Sequence, residues 1–250
     1  MKLRKRTKII LGALGVIVLG LLAVMAPIVA RMPSPQADRV QDGPLVGLNA
    51  GGSFAWIIPS ESGVVLVDAG WSEDAAEILA EVGDRKIMAV LLTHGHFDHT
   101  GGISAFPDVP VYLGPGEEPL LRHHVNAKGW MARLSTKMMN PPVPDPTTVI
   151  EFTDGQMLTV VGLAIRAIHT PGHTGGSAMY IWNDVLFSGD SIVGRGDYVN
   201  EIPKGTADNY DQIRPGVAKA LKFPFTTMAD GHVGLHKGIR AQVKEYVNSP

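Results

Sequence analysis

The stretch Thr93-His94-Gly95-His96-Phe97-Asp98-His99 places three imidazoles and one carboxylate within six residues. It follows the apolar run Met88-Ala89-Val90-Leu91-Leu92, which reads as a strand delivering a metal site at its C-terminal end. Neutral imidazole and carboxylate suit borderline divalent ions, Zn2+ first, with Fe2+ and Mn2+ as alternatives. His94 and His96, one residue apart on a turning backbone, can both face one ion. Asp98 and His99 cannot point the same way as that pair, because the chain turns into Thr100-Gly101-Gly102, so they indicate a second ion close by. Four side chains do not complete two coordination spheres, and the remaining ligands must come from downstream.

Three later strand ends offer them. Residues 163–168 read as a strand running into His169-Thr170-Pro171-Gly172-His173, and His173 on that tight turn is the expected third ligand of the first ion. His169, at the end of the apolar run, reads instead as a buried, hydrogen-bonded histidine. Residues 185–188 lead to Gly189-Asp190-Ser191, where Asp190 can bridge two ions because each carboxylate oxygen has lone pairs to spare. A late strand over 224–229 ends in Asp230-Gly231-His232. His232 is preferred as a ligand over His236, which lies where a closing helix to Val247 begins. The adjacent His123 and His124, on a polar stretch, read as surface residues.

Around these points the chain alternates strands and helices. Residues 53–59 and 63–68 read as a hairpin turning at Ser60-Glu61-Ser62, and Ser72 as the cap of a helix over 73–82 closed by Gly83. A second hairpin, 177–182 with 185–188, turns at Asn183-Asp184, and residues 209–221 read as a helix interrupted at Pro215. Residues 114–148 differ in character, with six prolines and an apolar set (Trp130, Met131, Leu134, Met138, Met139) spaced like one helical face. That face reads as core or the seat of a lid, with a substrate-facing wall as the alternative.

A chain of 250 residues is long enough for one core and an appendage. The absence of Cys excludes disulfides, thiolate ligands and a cysteine nucleophile together. At the start, Lys2, Arg4, Lys5, Arg6 and Lys8 precede an uncharged run over residues 9–30, long enough at ~1.5 Å per residue to cross a bilayer. The predicted organisation is a cytoplasmic basic segment (1–8), a transmembrane signal-anchor (9–30), a linker (31–43) and a catalytic domain (44–250). A cleaved signal peptide is the alternative for the run. Either way the catalytic domain is expected outside the cytoplasm, on the periplasmic or extracellular side, membrane-anchored or, after cleavage, secreted. From Asp38 onward sixteen Lys and Arg stand against 24 acids, a net charge of −8, which does not suit nucleic acid. The expected partner is a small-molecule substrate, and nothing in the sequence specifies an oligomeric state.

The constellation His94-x-His96-x-Asp98-His99, His173, Asp190 and His232, in that order, resembles the metallo-β-lactamase superfamily of binuclear metallohydrolases. Asp68-Ala69-Gly70 resembles the family's structural Asp-x-Gly turn after an early strand. The resemblance spans residues 44 to about 247 and implies a four-layer αββα sandwich with the site along one edge of its two sheets. It also implies that His94, His96 and His173 hold one ion, Asp98, His99 and His232 a second, and Asp190 lies between them. Water activated between the ions would attack an ester, thioester or lactone, with Asp98 holding or shuttling its proton. The His169-to-Thr174 run followed by Gly189-Asp190 looks closer to the glyoxalase II and lactonase branch than to true β-lactamases. The 18 residues after His232 are too few for the helical domain that holds glutathione in glyoxalase II, so glutathione thioesters are not the expected substrate. The alternatives are an iron-dependent oxidoreductase of the same fold, akin to persulfide dioxygenases, or a β-lactamase-type amide hydrolase.

Overall fold

The computed structural model describes residues 32–249 together with Gly20 and Ala23. Contacts divide the chain into Met1–Met32 and Pro33–Pro250, and the second unit carries the fold that follows.

One sheet takes its seven strands in chain order: β1 (Arg39–Asp42), β2 (Leu45–Asn49), β3 (Phe54–Ser60), β4 (Gly63–Val67), β5 (Ile87–Leu91), β6 (Val111–Leu113) and β7 (Val149–Glu151). The other has the order β15-β14-β11-β10-β9-β8, from β8 (Met157–Val160), β9 (Leu163–His169), β10 (Ala178–Trp182), β11 (Val185–Gly189), β14 (Thr227–Asp230) and β15 (Leu235–Lys237). A short ribbon of β12 (Val193–Arg195) and β13 (Tyr198–Asn200) stands apart. Helices α1 (Ala76–Val82), α2 (Phe97–Thr100), α3 (Glu118–Leu121), α4 (Trp130–Met139), α5 (Ile213–Ala220) and α6 (Arg240–Asn248) fill the connections.

The central strands, such as β4, β10 and β11, read as unbroken apolar runs because both of their faces are covered. In β3 and β4, Phe54, Trp56, Ile58, Val65 and Val67 point between the sheets, where they meet Ile165, Tyr180 and Phe187. The alternate residues Ala55, Ile57, Val64 and Leu66 point outward onto Ile78 and Val82 of α1 and onto Leu121 of α3. On the far side, Ile168, Met179 and Leu186 meet Val217 of α5 and Val243 of α6. These three cores define four layers, helix, sheet, sheet, helix, as the αββα expectation requires.

Several expectations are corrected. No helix among the described residues is long and apolar enough to cross a membrane. A span needs about 20 residues, and the longest described helix, α4, has 10. The transmembrane part of the predicted fold and the membrane-anchored location outside the cytoplasm are therefore not supported. The run over 9–30 on which they rested lies outside the described residues, apart from Gly20 and Ala23. The predicted linker is partly sheet: β1 pairs with β2 from Arg39↔Leu48 to Asp42↔Leu45. Gly43, at φ 55°, turns that hairpin. Helix α1 starts three residues later than predicted, because the Asp74 carboxylate, not Ser72, accepts the Ala76 N–H (3.2 Å). Pro215 opens α5 rather than breaking it, since the first helical turn has no need of its N–H. Finally, α4 buries none of its residues, and Trp130, Leu134 and Met138 are exposed, so it is not core.

Candidate metal centre

The parallel pairs β4·β5 and β11·β14 run their C-terminal ends to one edge of the sandwich. Asp68, Thr93-His94, Asp190 and His232 all follow strand ends there, and His173 lies four residues beyond the end of β9. The anchor of the first turn is Asp68, a buried residue in the left-handed region (φ 61°) just after β4. Its carboxylate accepts the Thr93 N–H (2.8 Å), the Thr93 hydroxyl (2.7 Å) and His99 Nδ1–H (2.8 Å). The Thr93 oxygen then accepts from His94 Nδ1 at 3.1 Å. His232 Nδ1 donates to the Gly52 carbonyl at 2.8 Å. In all three histidines Nδ1 carries a proton held by its partner, which turns Nε2 toward the centre as metal ligation requires.

The predicted residues converge. His173 Nε2 lies 3.1 Å from His94 Nε2 and 2.9 Å from His96 Nδ1. Nitrogens sharing one tetrahedral ion at ~2.0–2.1 Å are about 3.3 Å apart, so the three are spaced to hold one. Asp190 Oδ2 is 3.5 Å from His173 Nε2 and 3.0 Å from His232 Nε2, while its Oδ1 is 3.3 Å from His99 Nε2. Asp98 Oδ2 is 3.7 Å from both His99 Nε2 and His232 Nε2. Two clusters able to hold an ion result, His94-His96-His173 and Asp98-His99-His232, with Asp190 beside His94 and His99 in a third. His99 Nε2 and Asp190 Oδ1 are buried without a hydrogen-bond partner, an arrangement that a cation satisfies.

Burial holds His94, His96 and His173 below the usual imidazole pKa, and in His94 and His173 neighbouring imidazoles push the same way. They are neutral, as ligands must be. Burial would lower His99 and His232 as well, but the carboxylate of Asp190 overrides it, and His232 reaches about 9. Asp190, despite its burial, is kept well below the carboxylate range by these two imidazoles.

The other histidines stand apart. His236 Nε2 donates to Asp230 (2.8 Å), and His169 Nε2 meets the Gly175 carbonyl (3.1 Å). His123 lines a cavity of ≈ 80 Å³ beside His96, walled by Arg133 and Thr136 of α4. Two buried acids escaped the sequence reading. Asp230 Oδ1 accepts the N–H groups of His232 (3.0 Å), Val233 (2.6 Å) and Gly234 (3.0 Å), shaping the turn that presents His232. Glu117 accepts from Gly95, Thr174 and Gly176. Spacing alone could have pointed to Asp230, next to a ligand turn, but nothing local separates Glu117 from Glu118.

The family model of the metallo-beta-lactamase superfamily matches residues 48–246, and the chain belongs to that superfamily. Fold and His/Asp clusters together imply a site for divalent metal ions. The chain is 32% identical over 148 residues to a hydroxyacylglutathione hydrolase of Aeromonas hydrophila subsp. hydrophila, covering 58% of this chain and 48% of that one. It is 32% identical over 175 residues to an atrochrysone carboxyl ACP thioesterase of Aspergillus chevalieri, covering 67% and 49%. The chain thus spans about half the length of these curated relatives. Among solved structures, TTHA1623 in a di-iron-bound form superposes with a TM-score of 0.59 at 26% identity, covering 83% of this chain and 98% of that one.

Proposed function

We propose that the chain is a hydrolase of thioesters or related esters that works with two divalent ions, in the first place Zn2+. The observation that carries this reading is the position of Asp190, whose two oxygens face His173 and His232 on one side and His99 on the other. His94, His96 and His173 would hold one ion, Asp98, His99 and His232 the other, with Asp190 between them. Bound there, such a pair lowers the pKa of water toward neutrality and draws charge from a carbonyl oxygen. Asp98, with 27% of its side chain exposed, is the open carboxylate of the set. It is placed to take a proton from the attacking water and return it to the leaving group. The imidazoles of His94, His99 and His232 are held in one orientation by Thr93, Asp68 and Gly52, so this part of the reacting geometry is set before substrate arrives. The names of both curated relatives, one acting on an acylated glutathione and one on an ACP thioester, support sulfur-carried acyl groups as the substrate class.

The test is elemental analysis of the full chain purified without added metal, with ester, thioester and lactone substrates run on the same sample. Two equivalents of zinc with turnover abolished by a chelator is the expected result. One equivalent of iron with no hydrolysis would overturn the proposal in favour of iron-dependent oxidation chemistry.

A further inference from the structure

Glu117 lies at the N-terminal end of α3, 18 residues after His99, the nearest histidine expected to bind metal, and is buried with 1% exposure. Among the described residues no ion pair occupies it; three donors from two loops do. Its Oε1 accepts the Gly95 N–H (2.7 Å) and the Thr174 hydroxyl (2.7 Å), and its Oε2 accepts the Gly176 N–H (2.7 Å). The Ser177 hydroxyl, 2.7 Å from the Thr174 oxygen and accepting the Thr174 N–H, extends the network. Gly95 sits between His94 and His96, and Thr174 follows His173. The carboxylate therefore ties the turn carrying two of the first cluster's histidines to the turn carrying the third. Both glycines make room for it. A Cβ on Gly176 would meet Glu117 Oε2 at 2.6 Å, and one on Gly95 would meet the Leu121 nitrogen at 2.9 Å.

We infer that Glu117 is a positioning residue for the His94-His96-His173 metal site, holding the two ligand loops at the separation one ion requires. The inference rests on the two-ion reading above and makes the two sites unequal. Asp68 reaches both clusters, through Thr93-His94 and through His99. Glu117 reaches only the first. The groups that hold a metal's ligands in place typically contribute 10–100-fold to its affinity.

The test is zinc titration of the metal-free full chain against a chromophoric chelator, for wild type, Glu117→Ala, Glu117→Gln and the exposed-carboxylate control Asp145→Ala. Expected for Glu117→Ala is one equivalent bound about 10–100-fold more weakly and the other unchanged. Glu117→Gln, which keeps one accepting oxygen but opposes an NH2 to a donor, should fall between, and Asp145→Ala should match wild type. In a His96→Ala background, where the first site is already lost, Glu117→Ala should change nothing further. Equal zinc binding by wild type and Glu117→Ala would overturn the inference, as would equal weakening of both equivalents. A wild-type chain that takes up no zinc overturns the two-ion reading itself and this inference with it. Should the variants not fold, amide hydrogen exchange of the wild type decides. The Gly95 and Gly176 amides, though in loops, are expected to be protected, and exchange at open-loop rates would overturn the role.

Discussion

The two sheets equip the metal centre in opposite ways. The first sheet delivers His94, His96, Asp98 and His99 from a single turn after β5, while the second delivers His173, Asp190 and His232 from three separate strand ends. The single turn is a local device with a distant anchor. Asp68, 25 residues before Thr93 and 31 before His99, satisfies both at once. Of the scattered ligands, His232 has its backbone anchored two residues away by Asp230 and its ring held by the distant Gly52 carbonyl, whereas the turn of His173 is tied by the long reach of Glu117. Dense local chemistry can thus require long-range support, while the backbone turn that carries a lone histidine at a strand end can be shaped within a few residues.

The comparison is broken most severely at Asp68. Asp68→Ala leaves the Thr93 N–H, the Thr93 hydroxyl and His99 Nδ1 buried without their acceptor. Loss of one partner of a buried ionic network costs about 3–5 kcal/mol, which urea unfolding should register together with loss of both metal equivalents. A variant that unfolds like wild type would mean that the first turn holds itself. Asp230→Asn is the matching change in the second half. One of its oxygens becomes an NH2 facing the N–H groups that either Oδ1 or Oδ2 now accepts. A cost of about 1–3 kcal/mol is expected, with weaker binding only in the cluster that contains His232. Equal weakening of both clusters would erase the distinction between a local and a distant anchor.

The clusters should also differ in their protons. His232, lifted to about 9 by Asp190 against its burial, is protonated at pH 7 in the metal-free protein, whereas His94 and His173 are neutral. Metal entering the second cluster must therefore displace the proton of His232 and also that of His99, whose pKa Asp190 raises likewise, so its affinity should rise by more than tenfold per pH unit below pH ~9. Calorimetry in two buffers of different ionisation enthalpy reads those protons directly. In the metal-free protein the same raised pKa adds stability that is fully present below 6.5 and lost as pH rises through about 9. The smallest effect belongs to α4. Leu134→Ser and Met138→Ser, on its exposed face, should change the unfolding free energy measured in urea by no more than about 0.5 kcal/mol. A larger loss would show that the face is covered.

Much of the centre was legible because strand ends and side-chain chemistry are local signals. The His94-to-His99 turn could be read from spacing, and His173, Asp190 and His232 from their places after apolar runs. His236, set aside because a closing helix is expected to begin there, lies instead in β15 and pairs with Asp230, and His169, expected to be buried, is half-buried and hydrogen-bonded to the Gly175 carbonyl; both partners lie outside the clusters. Where local pattern misled, tertiary context explains it. The apolar spacing of α4 matches a buried face, yet that face meets no sheet, and the helix start is pinned instead by Asp208, which accepts the Lys128 N–H at 2.6 Å. Ser72 looked like a cap because Ser favours that position, but Asp74 took the amide.

By itself the sequence determined the residue types, their order and the strand periodicity, and the family resemblance they carry implied the layered fold and the ligands of the centre. Only the tertiary structure decided which distant groups hold that chemistry in place. Glu117 and Glu118 are chemically identical neighbours. The first is buried against two loops, one 22 residues before it at Gly95 and one 57 to 59 residues after it at Thr174 and Gly176, and the second pairs with Arg122 on the surface. That difference comes from the packing of α3 against both ligand turns, a long-range geometry that no local spacing encodes.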